Sequence, residues 1–263
     1  MMSQVRAALG SAPGSAPGVL YARPMTTQPE QAAGEPSTAR QRDLVALLIA
    51  LAVAVALTRI ASALTLRGAV PSPVAQVLLG DAAVWVPLVL GAVWVLARSG
   101  RGTLGRFRVE LGDLVFALGI VIVVRVFDVV LSLALTGSTG LAPVPSLGTP
   151  DVGLLVVSAI GVVLVSPLLE ELFFRGLFQR LLADELTPRT RWLAVLLTAF
   201  LFALSHLFLG SATTAVGGFQ VFLTTFVLGV LTGTLVAMTD RIGGAVVAHV
   251  LFNAVAVVAT WPR

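Results

Sequence analysis

The chain has 263 residues, of which 57% are hydrophobic and 11% charged, with a formal net charge of +4. A soluble globular domain carries roughly 25% charged residues, so this sequence cannot cover itself with a water-facing surface, and lipid must be its solvent over most of the outside. It has no cysteine, which excludes disulfides, thiolate zinc sites and a Cys nucleophile, and its cations, all Arg, lie mostly between apolar runs, a footprint of membrane topology rather than of nucleic-acid binding.

Residues 1–42 are rich in Ala, Pro, Gly, Ser and Gln and contain the near-repeat Ala12-Pro13-Gly14-Ser15-Ala16-Pro17-Gly18. They read as a disordered cytoplasmic tail, and not as a signal peptide, because no apolar run follows the early charges. Seven apolar runs follow, at 44–65, 76–97, 114–136, 152–174, 192–209, 214–238 and 242–260, each near the ~20 residues a helix needs to cross a bilayer. The fourth is expected to continue to about 182, since Gly176 is the one breaker after Arg175. The expected fold is all-α, a polytopic integral membrane helical bundle of about seven transmembrane helices, eight if one run is broken. Residues 43–149 would form the N-terminal transmembrane helices and 150–263 a C-terminal transmembrane core.

The connecting segments alternate in Arg content. Arg6, Arg23, Arg40 and Arg42 lie in the tail; Arg98, Arg101, Arg106 and Arg108 follow the second run; Arg180, Arg189 and Arg191 follow the fourth; Arg241 lies in the last loop. The loop after the first run has only Arg67, and 137–151 and 210–213 have none. The positive-inside rule then puts the N-terminus in the cytoplasm and the C-terminus outside.

Ionisable groups inside spans are costly and are functional candidates by default. Arg125 and Asp128, three apart on one helix, read as a structural ion pair, and Asp81, after Gly80 near the outer end of its span, as a capping or interface residue. Glu171 and Arg175 stand one turn apart in the favourable order for an ion pair. Glu170 points about 100° away, without a cationic partner on its own helix. Pro167 removes a backbone hydrogen bond upstream, kinking the helix and freeing a carbonyl. His206 lies one turn after Phe202, and His249 one turn before Asn253; these are the only two histidines. A rise of ~1.5 Å per residue puts Glu170 and His206 roughly 18 and 21 Å from the Arg-rich loop at 183–191, and His249 and Asn253 roughly 10 and 16 Å from residue 242. All four fall in one depth band.

Glu170-Glu171-Leu-Phe-Phe-Arg175, Phe202-Ala-Leu-Ser-His206 and His249-Val-Leu-Phe-Asn253 match Glu-Glu-x-x-x-Arg, Phe-x-x-x-His and His-x-x-x-Asn. In order and spacing they resemble the CAAX protease and bacteriocin-processing (CPBP) family, which includes the type II CAAX prenyl endopeptidase and many bacterial intramembrane proteases. The resemblance covers about 150–260. It implies an intramembrane peptidase in a plasma membrane of bacterial type, with Glu170 and His206 activating water, His249 and Asn253 stabilising the oxyanion, and Glu171, Arg175 and Phe202 shaping the site. Glu170, His206 and His249 could also ligate a divalent metal such as zinc, with a water in the open position; metal-dependent and glutamate-type chemistry both stay open. No His-Glu-x-x-His, Gly-x-Gly-Asp or Gly-x-Ser-x-Gly occurs. The expected partners are a peptide or protein substrate at the membrane and the lipid bilayer, not nucleic acid. The main reading is an endopeptidase with a water-filled cavity opening to the cytoplasm; the rivals are a non-catalytic scaffold or immunity-type binding protein, and a transporter.

Overall fold

The computed structural model describes residues 37–99, 107–143, 151–210 and 214–262. All long elements among them are helices: α1 Ser37–Leu66, α2 Pro73–Ser99, α3 Leu111–Thr136, α4 Val152–Glu185, α5 Trp192–Leu209, α6 Ala215–Thr239 and α7 Gly243–Thr260. Each is long and apolar enough to cross a membrane. Large Leu, Val, Ile, Phe and Trp side chains, such as Val115, Phe116 and Trp94, stand exposed along them. On a soluble protein such a surface would aggregate, whereas here it faces acyl chains.

Helix ends follow local chemistry. Glu110 and Asp113 form a reciprocal capping box at the start of α3, and Gly137 closes it in a left-handed conformation (φ 70°). Asp151 accepts from Leu154 N at the start of α4, and Thr214 from Gly217 N at the start of α6. α1 begins at Ser37, so 37–42 of the segment read as tail are helical. Arg40 Nε reaches Glu185 Oε1 at 2.6 Å, which holds this first turn against the end of α4. Residues 1–36 lie outside the described residues.

α4 is irregular where the sequence suggested a simple kink. It is α-helical over Val152–Ile160, Ser166–Glu170 and Gln179–Glu185, with π-helical turns at Gly161–Val165 and Glu171–Phe178. The first turn has a direct cause. Ser166 N–H bonds back to Gly161 O, five residues away, and the residue that would close the next such bond, on Val162 O, is Pro167, which has no N–H. A side chain from another helix takes that carbonyl: Asn253 Nδ2 donates to Val162 O at 2.8 Å. π turns of this kind cluster at functional sites.

α1 packs on α2, α5 on α6, and α3 on α6 and α7. Two apolar clusters result. One joins α1, α2, α4 and α5 through Leu47, Leu88, Val95, Phe173, Phe174, Leu177 and Phe202. The other joins α3, α6 and α7 through Ala117, Val124, Leu228, Leu235, Ala248 and Phe252. Arg125 and Asp128 pair at 3.0 Å, as expected, and fasten the second cluster. Asp128 also accepts from Gln220 and Thr224, while Arg125 lies over the Phe252 ring and donates to Phe252 O. At the Arg-rich end Arg241 grips Asp113 at 2.8 and 2.9 Å and Glu110 at 3.2 Å.

Candidate active site

The second π turn of α4 turns Glu171, Arg175 and Gln179 into the interior and leaves Glu170 at the edge of a cavity. Glu171 and Arg175 are both fully buried, with Arg175 Nη1 3.2 Å from Glu171 Oε1. Two features make room for a guanidinium here. Its carbon lies 4.1 Å from the centre of the Phe202 ring, a cation–π contact. On the other side α6 presents Gly229, where an added Cβ would come within 3.3 Å of Arg175 Nη2. One turn on, Gly233 does the same for Gln179, whose Nε2 donates to Gly233 O at 2.9 Å. The sequence reading missed this pairing of Arg175 and Gln179 with Gly229 and Gly233; the i, i+4 spacing of both pairs was its only visible sign.

The histidines are oriented through their Nδ1 atoms. His206 Nδ1 lies 2.8 Å from Phe202 O. A carbonyl oxygen only accepts, so Nδ1 carries the proton, and in the neutral ring Nε2 keeps its lone pair. His249 Nδ1 lies 3.0 Å from Glu171 Oε1, so the same carboxylate serves Arg175 and His249. Both imidazoles meet the Phe202 ring edge to face, at 4.5 and 5.8 Å between centres. Their free nitrogens converge on one oxygen: Glu170 Oε2 is 3.7 Å from His206 Nε2 and 4.0 Å from His249 Nε2.

All seven residues of the three motifs therefore meet: Glu170, His206, His249 and Asn253 line one cavity of about 340 Å³, and Glu171, Arg175 and Phe202 back it. Asp81, Trp85 and Ser166 line it too. Asp81 was read as a cap or interface residue, and Ser166 and Trp85 carried no signal; their register with α4 could not be seen along one chain.

The donor spacing bears on a metal. Two ligands of one tetrahedral zinc, each at ~2.0–2.1 Å, lie about 3.3 Å apart. Glu170 Oε2 lies farther than this from both His206 Nε2 and His249 Nε2, and no group of three His, Cys, Asp or Glu among the described residues is arranged to hold a metal ion. As placed, the three side chains do not fit zinc.

The cavity also has a direction. Its lining ascends from Glu170 through Ser166 and Val162 toward the start of α4, from Leu88 to Asp81 toward the start of α2, from His206 to Gly210 at the end of α5, and from His249 to Asn253 toward the end of α7. These are the Arg-poor ends of the bundle. Toward the Arg-rich end the floor is closed, since every residue from Phe173 to Gln179 is buried. A second cavity of about 910 Å³, lined by Gln179, Arg180, Asp184, Arg191 and Asp240, lies beyond that floor and shares no lining residue with the first. The lining thus extends toward the Arg-poor ends, whereas the sequence led to the expectation of an opening at the Arg-rich end.

Fold and site together define a polytopic helical membrane protein with a carboxylate–imidazole centre sunk between its helices. The family described as Type II CAAX prenyl endopeptidase Rce1-like matches residues 152–255, the stretch that holds all three motifs, so the match and the motifs point to the same similarity. α1 to α3 lie outside the match. Comparison with curated proteins and with solved structures gave no match.

Proposed function

We propose that the chain is an intramembrane endopeptidase that hydrolyses peptide bonds of membrane-associated substrates with a water activated by Glu170 and His206. One observation carries this: Glu170 Oε2 and His206 Nε2 face each other at 3.7 Å on the cavity wall, too far for a direct hydrogen bond and right for a water touching both. With the His206 proton held on Nδ1 by Phe202 O, Nε2 accepts from that water and aims it. Glu170 takes the second proton as the water oxygen bonds to the peptide carbonyl carbon. It returns this proton to the leaving amine when the C–N bond breaks.

The negative charge that forms on the carbonyl oxygen needs donors fixed in advance. Asn253 supplies one. Its amide has two N–H groups; the first is committed to Val162 O, which fixes the plane, and the second is available to the cavity. His249 supplies the other from Nε2 in its doubly protonated form, with Nδ1–H donating to Glu171 Oε1 at 3.0 Å. Glu171 and Arg175 then act by holding His249, and through Phe202 both imidazoles, in place.

Purified full-length chain incubated with a library of membrane peptides tests the reading. Hydrolysis by the wild type that disappears in Glu170→Gln is the expected result. Equal cleavage by both proteins would refute it, and cleavage by neither would favour the scaffold reading.

A further inference from the structure

The cavity mouth contains a carboxylate that the hydrolysis does not use. Asp81 on α2 is half-buried and lines the cavity. It sits against α4 at a place made for it: a Cβ on Gly161 would lie 2.8 Å from Asp81 Oδ2 and 3.5 Å from the Trp85 ring. The π turn brings Gly161 and Ser166 into line with Asp81 and Trp85, which are one α-turn apart on α2. Asp81 rests on Gly161, and Trp85 Nε1 donates to Ser166 Oγ at 3.0 Å. Any side chain at 161 would push the carboxylate away.

Having been admitted, the carboxylate has no hydrogen-bond donor and no cation among the described residues. Among the described residues, Asp81 and Glu170 are the only acids lining the cavity, and no Arg lines it. Arg59, on the neighbouring helix near the same end, is committed to Phe208 O at 2.6 Å. A carboxylate lodged in an apolar mouth with no partner gives that mouth a negative potential, and a concave low-dielectric wall strengthens it. The mouth lies at the Arg-poor end of the helices, which the positive-inside rule puts outside the cytoplasm.

We propose that the cavity is loaded from the extracytoplasmic side and that Asp81 receives a cationic group of the substrate, an amine or guanidinium, a few residues from the scissile bond. The word substrate rests on the proteolytic reading above; side and charge preference do not, and can be measured without hydrolysis. The chain has no cysteine, so a single Ser166→Cys supplies the only thiol, inside the mouth. Thr234→Cys places one in the other cavity, at the Arg-rich end. Both are made in full-length chain carrying Glu170→Gln, so that Asp81 is the one remaining acid of the lining. Intact cells and inverted membrane vesicles are treated with two membrane-impermeant methanethiosulfonates, one bearing a trimethylammonium and one a sulfonate.

The Ser166→Cys thiol should react in intact cells, with the cationic reagent favoured, and the Thr234→Cys thiol in inverted vesicles only. Adding Asp81→Asn should lower the cation-to-anion rate ratio at Ser166→Cys by about 10²-fold, because one unit charge at ~10 Å in an effective dielectric of ~20 shifts each rate by roughly tenfold and in opposite directions for the two reagents. Asp81→Ala should do the same if the isosteric variant folds poorly, with Thr234→Cys labelling as the check on fold. Reaction of Ser166→Cys from the inverted side alone overturns the loading direction. An unchanged ratio in Asp81→Asn and Asp81→Ala overturns the cation site. A peptidase assay that fails while both labelling results hold counts against the proteolytic reading and not against this one.

Discussion

Replacing Glu171 by Gln keeps the shape of the side chain and removes its charge. Glu171 Oε1 lies 3.2 Å from Arg175 Nη1, with both side chains 0% exposed, and 3.0 Å from His249 Nδ1. Two unit charges 3.2 Å apart attract by about 5 kcal/mol at an effective dielectric of ~20. The variant no longer bears the desolvation cost of the carboxylate, which returns part of this, but Arg175 stays buried; deleting one partner of a buried pair costs about 3–5 kcal/mol net. Glu170→Gln changes an equally conservative amount of structure one residue away. Its contacts to the two imidazoles, at 3.7 and 4.0 Å, are too long to be hydrogen bonds, so the stability cost should stay below about 1 kcal/mol. Thermal unfolding of both variants in one detergent, followed by Trp fluorescence, separates them. At about 2–4 °C per kcal/mol, Glu171→Gln should lower the midpoint by roughly 10 °C, whereas Glu170→Gln should leave it nearly unmoved while abolishing hydrolysis. Midpoints lowered equally would refute the division between a carboxylate that holds the site and one that reacts.

Asn253→Ala and His249→Ala should each lower turnover by about 10²–10³ with a much smaller change in KM, because they act on charge present mainly in the transition state; steady-state kinetics beside a melting curve distinguishes this from a packing defect. Chelator treatment of the purified chain should leave turnover unchanged, given the spread of the three donors; a loss restored by zinc, together with metal content that disappears in His249→Ala, would put an ion at the centre instead. A cysteine at Ser138 should label from outside in intact cells, and labelling only in inverted vesicles would reverse the assigned topology.

The spans were legible because a bilayer imposes one requirement, about twenty apolar residues in a row, and each run satisfies it. The Glu171–Arg175 and Arg125–Asp128 pairs were legible because each lies within one helix, where spacing fixes neighbourhood. Groupings across helices were harder. Depth placed Glu170, His206, His249 and Asn253 in one band but could not say that His249 bonds to Glu171 rather than Glu170. Asp81 was visible as an ionisable residue in a span, yet its place over Gly161 depends on how α2 meets a π turn, and no single-helix periodicity encodes that. The opening of the cavity was misjudged for a related reason. Loop charge reports which end of a helix faces the cytoplasm and is silent on which end of the bundle is filled by Phe173, Phe174 and Phe202.

The bond from Asn253 to Val162 O links a cavity-lining side chain to a missing backbone donor on another helix. Asn253 is oriented by an acceptor that exists because residue 167 is proline. Pro167→Ala would supply the absent N–H, let α4 satisfy its own carbonyl and release the asparagine to rotate, with no atom of α7 altered. Tolerance to change at 253 and at 167 is therefore one property rather than two. The penalty for losing the proline should be read in turnover rather than in unfolding temperature, since the helix itself would become more regular.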